Sequence, residues 1–309
     1  MRFGLDLGGT KIEILALGDR GEQLLRHRIA TPRDNYADVV RAIGELVLDA
    51  ESKLGRSGSV GVAIPGAISR KTGLVKNANS TCLIGHPLDK DLSAALRREV
   101  RVENDANCFA LSEASDGAGA GRDIVFGIIA GTGIGGGICV GGRVLAGAHG
   151  IAGEWGHNPL PAPRGRQETE NAPRCYCGRY GCIESWCSGP ALVSHYEART
   201  GRMLPVPEIV EAALRGEGPA VAEMEAYYDR MARSIAGVVS ILDPDVIVMG
   251  GGLSNIEALY AELPPRVERY AFTPEGSTSI VKNMHGDSSG VRGAAWLWRE
   301  EDVALGLPK

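Results

Sequence analysis

Four of the chain's seven cysteines lie in one short stretch, CYCGRYGCIESWC, at residues 175–187. Cys175 and Cys177 are separated by a single residue, and Cys182 follows after two intervening glycines. Glycines at such positions let the backbone turn tightly, so that neighbouring thiolates can converge on one ion. The spacing therefore favours a zinc site, while a reactive thiol pair or a cluster without a special role stay as alternatives.

A closed tetrahedral zinc site needs a fourth ligand. The sequence offers two candidates, Cys187 at the end of the stretch and His157 in the upstream GEWGH. We prefer His157, because Cys182 and Cys187 are expected on different faces of the helix that follows. The three remaining cysteines lie in apolar or helical contexts that are typical of packing residues.

Length, hydrophobic content and net charge limit the kinds of protein that this chain can be. The chain has 309 residues, 44% of them hydrophobic, which predicts two domains. The net charge of −5 comes from interleaved acids and bases, so no basic face for nucleic acid is expected. The chain starts with MRFGLDLGGTK, a strand pattern without a leader, and has no apolar run long enough to span a membrane. We expect a cytoplasmic protein, and the reducing cytoplasm argues against disulfides.

Glycine-rich turns recur along the chain. GLDLGGTKIEILALGD and IIAGTGIGGGICVGGR both read as β-hairpins with a threonine at the tip, and MGGG precedes a predicted helix. GTGIGGG continues into a strand rather than a helix, so a Rossmann fingerprint is excluded, and no P-loop motif occurs. Backbone N–H groups in such turns bind anions, so together they can hold a nucleoside triphosphate. The internal repeat predicts two similar α/β domains that face each other across a cleft.

The elements between these turns follow an α/β pattern. A helix is predicted over about Asn35 to Leu54, and SVGVAIPGAI reads as a buried strand. VRVEN is a strand that leads directly into the helix DANCFALSEAS, which places Asp105 at the start of a helix. The helix dipole there keeps a carboxylate ionised and able to accept a proton, although a helix cap alone would also explain an Asp.

In this order, DLGGTK, ENDAN, GTGIGGG, GEWGH, CYCGRYGCIE and DPDVIVMGGG resemble the ROK family of sugar kinases and repressors. VKNANST, DKDLSAALRREVR, GIAGEWGHNPLP and HGDSSGVRGAAWLW point within it to bacterial fructokinases of the mannofructokinase type. The resemblance implies an α/β, two-lobed actin-like and hexokinase-like (ribonuclease-H-like) ATPase fold with duplicated domains around a cleft. It predicts one lobe from residues 1–117 with a C-terminal helix at about 294–309, and a second lobe from 118–293 with the zinc loop.

The resemblance also implies ATP with Mg²⁺, a structural Zn²⁺ and phosphorylation of fructose, with mannose or glucose as further substrates, at the 6-hydroxyl. Asp105 would be the catalytic base. Contacts to the sugar hydroxyls would come from Asn79, Asn104, Asp105, Glu154, His157 and Glu184. The zinc ligands would be His157, Cys175, Cys177 and Cys182, and the metal would fix His157 and Glu184 in the sugar pocket.

On the nucleotide side, the resemblance assigns Asp6 to Mg²⁺ or its waters. The phosphates would be approached by Gly9, Thr10, Lys11, Thr132 and Gly133, and the adenosine by Gly251 and Gly252. Family members are commonly dimers, so a homodimer is expected, with no nucleic-acid or membrane partner.

Three alternatives remain open on the sequence. N-acetylglucosamine kinase is the runner-up, because SVGVAIPG and NDANCFALSEA also resemble that branch. A glucokinase of the same family is another. A catalytically silent sugar-binding sensor is less favoured, since a sensor has no chemical need for the base. The family's repressors carry an extra N-terminal DNA-binding segment. The first predicted strand begins at residue 2, so we expect no such segment here.

Overall fold

A computed structural model of the chain describes residues 1–32, 35–78, 80–273, 276, 278–299 and 302. Its backbone divides into two compact units. The first comprises Met1–Gly121, Gly137–Ala152 and Met284–Lys309, and the second Arg122–Gly136 and Gly153–Asn283. The segment Gly137–Ala152 thus belongs with the N-terminal residues, although the predicted lobe boundary at residue 117 would assign it to the other lobe.

The strands run, in chain order, β1 Arg2–Leu7, β2 Lys11–Leu17, β3 Gln23–Ala30, β4 Ser59–Ile64, β5 Ala67–Ile68, β6 Val75–Lys76, β7 Val100–Asn104, β8 Ile124–Ala130, β9 Ile134–Val140, β10 Arg143–Val144, β11 Val246–Gly250 and β12 Ser279–Lys282. The helices are α1 Tyr36–Leu54, α2 Leu88–Leu96, α3 Asp105–Asp116, α4 Gly165–Thr169, α5 Glu184–Cys187, α6 Gly189–Thr200, α7 Val206–Leu214, α8 Gly218–Leu242, α9 Leu259–Glu268 and α10 Ser289–Trp296. The predicted final helix at about 294–309 therefore begins earlier, at Ser289, and residues 300, 301 and 303–309 lie outside the described part.

The first unit is built on a five-stranded sheet of order β3-β2-β1-β4-β7. The predicted first hairpin is confirmed, with Arg2 opposite Leu17 and Leu7 opposite Ile12. Strands β1, β4 and β7 are parallel. Every residue of β4 is buried, as expected for a parallel strand covered on both faces. Helix α1 is capped by Asn35, whose side chain accepts from two backbone N–H groups of the first turn.

Helix α10 packs directly on β1, β4 and α3. The approach is close enough to require glycine on both sides. A Cβ at Gly61 of β4 would lie 1.9 Å from the Ala294 carbonyl oxygen, and one at Gly293 of α10 would lie 1.7 Å from that of Cys108. Backbone-to-backbone packing of this kind fixes the position of α3, and hence of its first residue, Asp105.

The second sheet has the order β10-β9-β8-β11-β12, with β8, β11 and β12 parallel. The long helix α8 of the second unit has a largely buried sequence, including Tyr227, Met231 and Ile235. The glycine turn after β11 enters a short 3₁₀ turn, Gly252–Asn255, and α9 begins only at Leu259. The predicted order of strand, glycine loop and helix is therefore present, with the 3₁₀ turn between the loop and α9. None of the helices within the described ranges has the length and hydropathy needed to cross a bilayer.

Asp116 links the end of α3 to α10 and gives a test of this packing. The Arg292 Nε donates to both carboxylate oxygens at 2.9 Å, and His285 Nε2 lies 3.0 Å from Oδ1. Burial alone would raise the pKa of Asp116, but His285 and Arg292 lower it to about 2. Because the pKa is lowered, the contact stabilises the fold fully above about pH 4, and this stabilisation is lost as the pH falls towards 2.

We expect Asp116→Asn to lower the free energy of unfolding at pH 7 by about 1–2 kcal/mol, allowing for partial solvent screening. The difference from wild type should shrink as the pH falls from about 4 to about 2. Urea unfolding at several pH values measures both effects, with the exposed Asp123→Asn as the control. A difference that is constant with pH would show that the ionised carboxylate is not what stabilises the α3–α10 contact.

Candidate functional site: a Cys/His cluster and two cavities

In the second unit, one histidine and three cysteines converge on a single point. The ligand atoms of His157, Cys175, Cys177 and Cys182 all lie within 4.8 Å of one another. Cys175 Sγ is 3.6 Å from His157 Nδ1, and Cys177 Sγ is 3.6 Å from Cys182 Sγ. All seven cysteines have free thiols. Cys187, the alternative fourth ligand, is fully buried at the end of α5 and is not a member of the cluster.

Local backbone conformation produces the convergence. Gly178 and Gly181 adopt φ values of +91° and +68°, in the left-handed region that side chains disfavour. The Cys175 N–H donates to the Arg179 carbonyl at 2.8 Å, which closes a small hairpin around Cys177. Cys182 pairs through an antiparallel bridge with Pro159, two residues after His157. The glycines therefore have the role that the sequence predicted for them.

The cluster fits zinc. A tetrahedral ion bound to sulfur at about 2.3 Å and to nitrogen at about 2.0–2.1 Å requires S–S separations of about 3.8 Å and S–N separations of about 3.5 Å. The observed separations of 3.6 Å lie close to both values. One ring nitrogen of His157 thus points into the cluster. The other, Nε2, lies 3.0 Å from the hydroxyl of the exposed Tyr176, a neighbour that the sequence analysis did not single out.

Glu184 connects the cluster to the second glycine turn. Its Oε2 accepts the Ile134 N–H at 2.9 Å, and its Oε1 lies 3.9 Å from Cys175 Sγ. A Cβ at Gly133 would lie 2.5 Å from Glu184 Oε2, so glycine is required for this contact. Glu154 is exposed and precedes the 3₁₀ turn Trp155–His157, which carries the histidine. The glycine turn at Gly133 and the Cys/His cluster are therefore held to each other by the Glu184 carboxylate.

Asp105 lines a cavity of about 440 Å³ within the first unit. Asp6, Gly8 and Gly9 line the same cavity, together with Ser80. Asp6 lies near the end of β1 and Asp105 directly follows β7, so both stand at the carboxyl edge of the parallel strands. Burial raises the pKa of Asp6, and its cross-strand neighbour Glu13 raises it further. Binding of a divalent cation would relieve this cost of carrying a buried negative charge.

Asn104 is the residue that caps α3. Its Oδ1 accepts the N–H groups of Ala106 and Asn107 at 2.9 and 3.2 Å, and its Nδ2 donates to the Gly66 carbonyl at 3.0 Å. The N-cap that the sequence offered as an alternative explanation for Asp105 is therefore Asn104, although Asp105 Oδ1 also accepts the Ala106 N–H, at 2.8 Å. Asn79, the other predicted amide contact to sugar, lies outside the described residues. The proposed roles of both amides in sugar binding stay predictions.

The first glycine turn is closed by backbone hydrogen bonds. The Gly8 N–H donates to the Lys11 carbonyl at 3.0 Å, and the Thr31 N–H donates to the Thr10 carbonyl at 3.1 Å. Gly9, Thr10 and Lys11 are exposed. The turn thus presents its tip to solvent, as an anion-binding turn must, while its role with phosphate stays a prediction.

A larger cavity, of about 890 Å³, lies within the second unit. Thr132 and Gly252 line it, whereas Gly251 stands beside it with φ +80°, where a Cβ would lie 2.4 Å from the Ala130 carbonyl oxygen. Its other walls come from α7, α8 and the residues before α9, none of which the sequence predicted as part of a site. They include Val206, Val210, Leu214, Tyr228, Leu253 and Ile256. These are ordinary helix and turn residues, and no local motif marks them.

A family model described as the ROK family matches residues 2–301. The chain belongs to the ROK family. It is 42% identical to the N-acetyl-D-glucosamine kinase of Escherichia coli O157:H7, over 96% of this chain and 99% of that protein. Its fold is similar to that of the ROK hexokinase from Thermus thermophilus, with a TM-score of 0.85 and 31% identity, covering 99% of both chains. It is also similar to the ROK glucokinase from Streptomyces griseus in complex with glucose and AMPPNP, with a TM-score of 0.71 and 29% identity, covering 95% and 97% of the chains.

These comparisons confirm the predicted ROK fold and correct the predicted branch. The fructokinase assignment is wrong, since the full-length similarity is to an N-acetylglucosamine kinase. Within the described residues, VKNANST begins with β6, which pairs with β5, and GEWGHNPLP carries a cluster histidine and the Pro159–Cys182 bridge. None of these features distinguishes one hexose from another.

We expect Cys177→Ser to weaken zinc binding by more than about tenfold, because the hydroxyl is a poorer ligand than the thiolate. Zinc per chain, measured by atomic emission after dialysis against a competing chelator, tests this. Cys82→Ser is the matched control, since Cys82 lies in the first unit and outside the cluster. Equal zinc content in both variants would contradict the assignment of Cys177 as a ligand.

Proposed function

We propose that this ROK protein is an ATP-dependent sugar kinase that phosphorylates N-acetylglucosamine at its 6-hydroxyl. The observation that carries the proposal is the 42% identity to the Escherichia coli N-acetyl-D-glucosamine kinase across nearly the whole of both chains. Two solved structures with a similar fold are a hexokinase and a glucokinase, and the latter was determined with glucose and AMPPNP.

Asp105 is the proposed catalytic base. Its carboxylate takes the proton of the 6-hydroxyl while that oxygen forms a bond to the γ-phosphorus of ATP. The bond from phosphorus to the bridging oxygen breaks, and ADP leaves with the electron pair. Two features support the assignment, namely the cavity that Asp105 lines and the cap from Asn104, which fixes the start of α3. Phosphoryl transfer depends mainly on positioning and charge stabilisation, to which the base adds.

The nucleotide is proposed to use the glycine turns. Gly9, Thr10 and Lys11, and likewise Thr132 and Gly133, would direct N–H groups and side chains at phosphate oxygens. The apolar cavity beside Gly251 and Gly252 has the size and lining expected for an adenosine group. Mg²⁺, when bound with ATP, would neutralise phosphate charge, and Asp6 is the residue proposed to hold it or its waters.

Sugar hydroxyls are proposed to contact Asn79, Asn104, Glu154, His157 and Glu184, in addition to Asp105. Zinc, when bound, would serve as a structural ion held by His157, Cys175, Cys177 and Cys182. The described contact between Glu184 and the turn at Ile134 supports a role for this carboxylate as a fixed acceptor. A buried acceptor that loses its hydroxyl partner costs free energy, which gives selectivity among epimers.

The substrate proposal predicts an ordering of rates. With Mg-ATP, kcat/KM for N-acetylglucosamine should exceed kcat/KM for glucose, mannose and fructose by at least about tenfold. These three sugars lack the acetamido group and would leave the polar groups that bind it without hydrogen-bond partners. Initial rates with each sugar measure this directly. A lead for glucose would instead support a hexokinase like the Thermus thermophilus relative. If none of the hexoses causes ADP release, the result would support the alternative that the protein is a sugar-binding sensor.

Asp105→Asn tests the base. We expect kcat to fall by about 10²–10⁴-fold, because the amide cannot accept the hydroxyl proton. Sugar binding, followed by calorimetry, should stay measurable, since Asn keeps the shape and hydrogen-bonding reach of Asp. Turnover close to wild type in a folded variant would remove Asp105 from the role of base.

A further inference from the structure

Residues 158–174, here called the spacer, separate His157 from Cys175 and therefore join two members of the cluster. The spacer carries the short helix α4 and is rich in proline and charge. A segment of this composition is expected to be loosely held on the surface. The structure instead attaches it to α8 through charged groups that are almost completely buried.

Glu168 of α4 is the central contact. Its Oε1 accepts from Arg230 Nε at 2.9 Å, and both of its oxygens accept from Arg233 Nη2, at 3.1 and 3.0 Å. The side chains of Glu168, Arg230 and Arg233 are only 8%, 4% and 1% exposed. Burial alone would raise the pKa of Glu168, but the Arg164 N–H and the two guanidinium groups lower it, so the carboxylate is ionised at neutral pH.

Arg233 also holds the beginning of the spacer. Its Nη1 donates to the carbonyl oxygens of Pro161 and Ala162, at 2.7 Å each. Ala162 has φ +44°, a left-handed conformation that a residue with a Cβ rarely adopts without support. The guanidinium thus stabilises an unfavourable backbone turn only five residues after His157.

Arg230 extends the connection to the other side of the cluster. Its guanidinium lies over the ring of Trp186, 4.9 Å from the centroid. Trp186 belongs to α5, four residues after the cluster member Cys182 and two after Glu184. The Trp186 ring also stacks on His195 of α6, with centroids 4.9 Å apart. The same buried arginine therefore contacts both the spacer and the helix that carries Glu184.

We propose that Glu168 is a positioning residue, which fixes the spacer on α8 and so holds His157 and Cys175 at ligand distance from Cys177 and Cys182. This inference rests on the proposed zinc site. Packing alone does not require the charges, because a buried ion pair loses much of its attraction to desolvation and apolar side chains can fill the same volume. What the charges add is geometry, since planar guanidinium groups accept only certain placements of the carboxylate and carbonyls.

The test uses the full-length chain loaded with zinc, and follows metal release to an excess of a chromogenic chelator. Glu168→Gln is expected to release zinc about tenfold faster than wild type, as when a supporting group of a metal site is lost. The KM for the sugar should rise while the KM for ATP stays unchanged, a split that a general loss of stability would not produce. Glu170→Gln is the matched control, because Glu170 directly follows α4 and pairs with the exposed Arg166.

Release from Glu168→Gln at the wild-type rate, with an unchanged sugar KM, would overturn the proposal. Should that variant not fold, Glu168→Asp gives a milder version, because the carboxylate keeps its charge but, one methylene shorter, loses reach to the Arg230 and Arg233 guanidinium groups. A wild-type release rate there would overturn the proposal equally. Metal release does not depend on turnover, so a wild-type chain that binds zinc but phosphorylates no sugar would refute the proposed function alone.

Discussion

The shared carboxyl edge of parallel strands is the constraint on which the candidate catalytic residue depends. Because β1, β4 and β7 run parallel and in register, the residues that follow them meet at one edge. Asp6 lies on β1 and Asp105 directly follows β7, two strands separated by β4, yet both residues line one cavity. The close packing of α10 on β4 and α3, through Gly61 and Gly293, fixes the position of α3 relative to the sheet. A side chain at Gly61 would displace α10 and, with it, the helix that begins at Asp105.

In the second unit, a comparable constraint comes from cross-links between loops. The Cys/His cluster and the turn at Gly133 have little regular structure of their own, whereas the third element connected here, α6, is a helix. Glu184 connects the first two, and the Gly189 N–H donates to the Gly131 carbonyl at 2.8 Å to connect the third. These contacts join the proposed structural metal to the proposed phosphate turn within one unit. A change in the cluster can therefore reach the turn through Glu184.

The sequence was informative wherever the backbone itself restricts the residue type. Gly178 and Gly181 in left-handed conformations, the hairpin around DLGGTK and the start of α3 at Asp105 were all predictable, because few residues fit those conformations. The walls of the larger cavity were not, since Val206 and Leu253 look like any apolar residue of a helix or turn. The pairing of Glu168 with Arg230 spans 62 positions, and no local pattern connects residues so far apart.

The same distinction explains why the branch was misread while the family was recognised. Glycines in tight turns and ligands of one ion are fixed by local geometry, so their motifs indicate the fold rather than the hexose. The choice between a hydroxyl and an acetamido group depends instead on the shape and polarity around one carbon of the sugar. Such a shape is formed by residues that are distant in sequence and belong to no motif, as in the walls of the larger cavity. Identity over the whole chain reflects all of these positions together, which explains why it corrects an assignment based on short motifs.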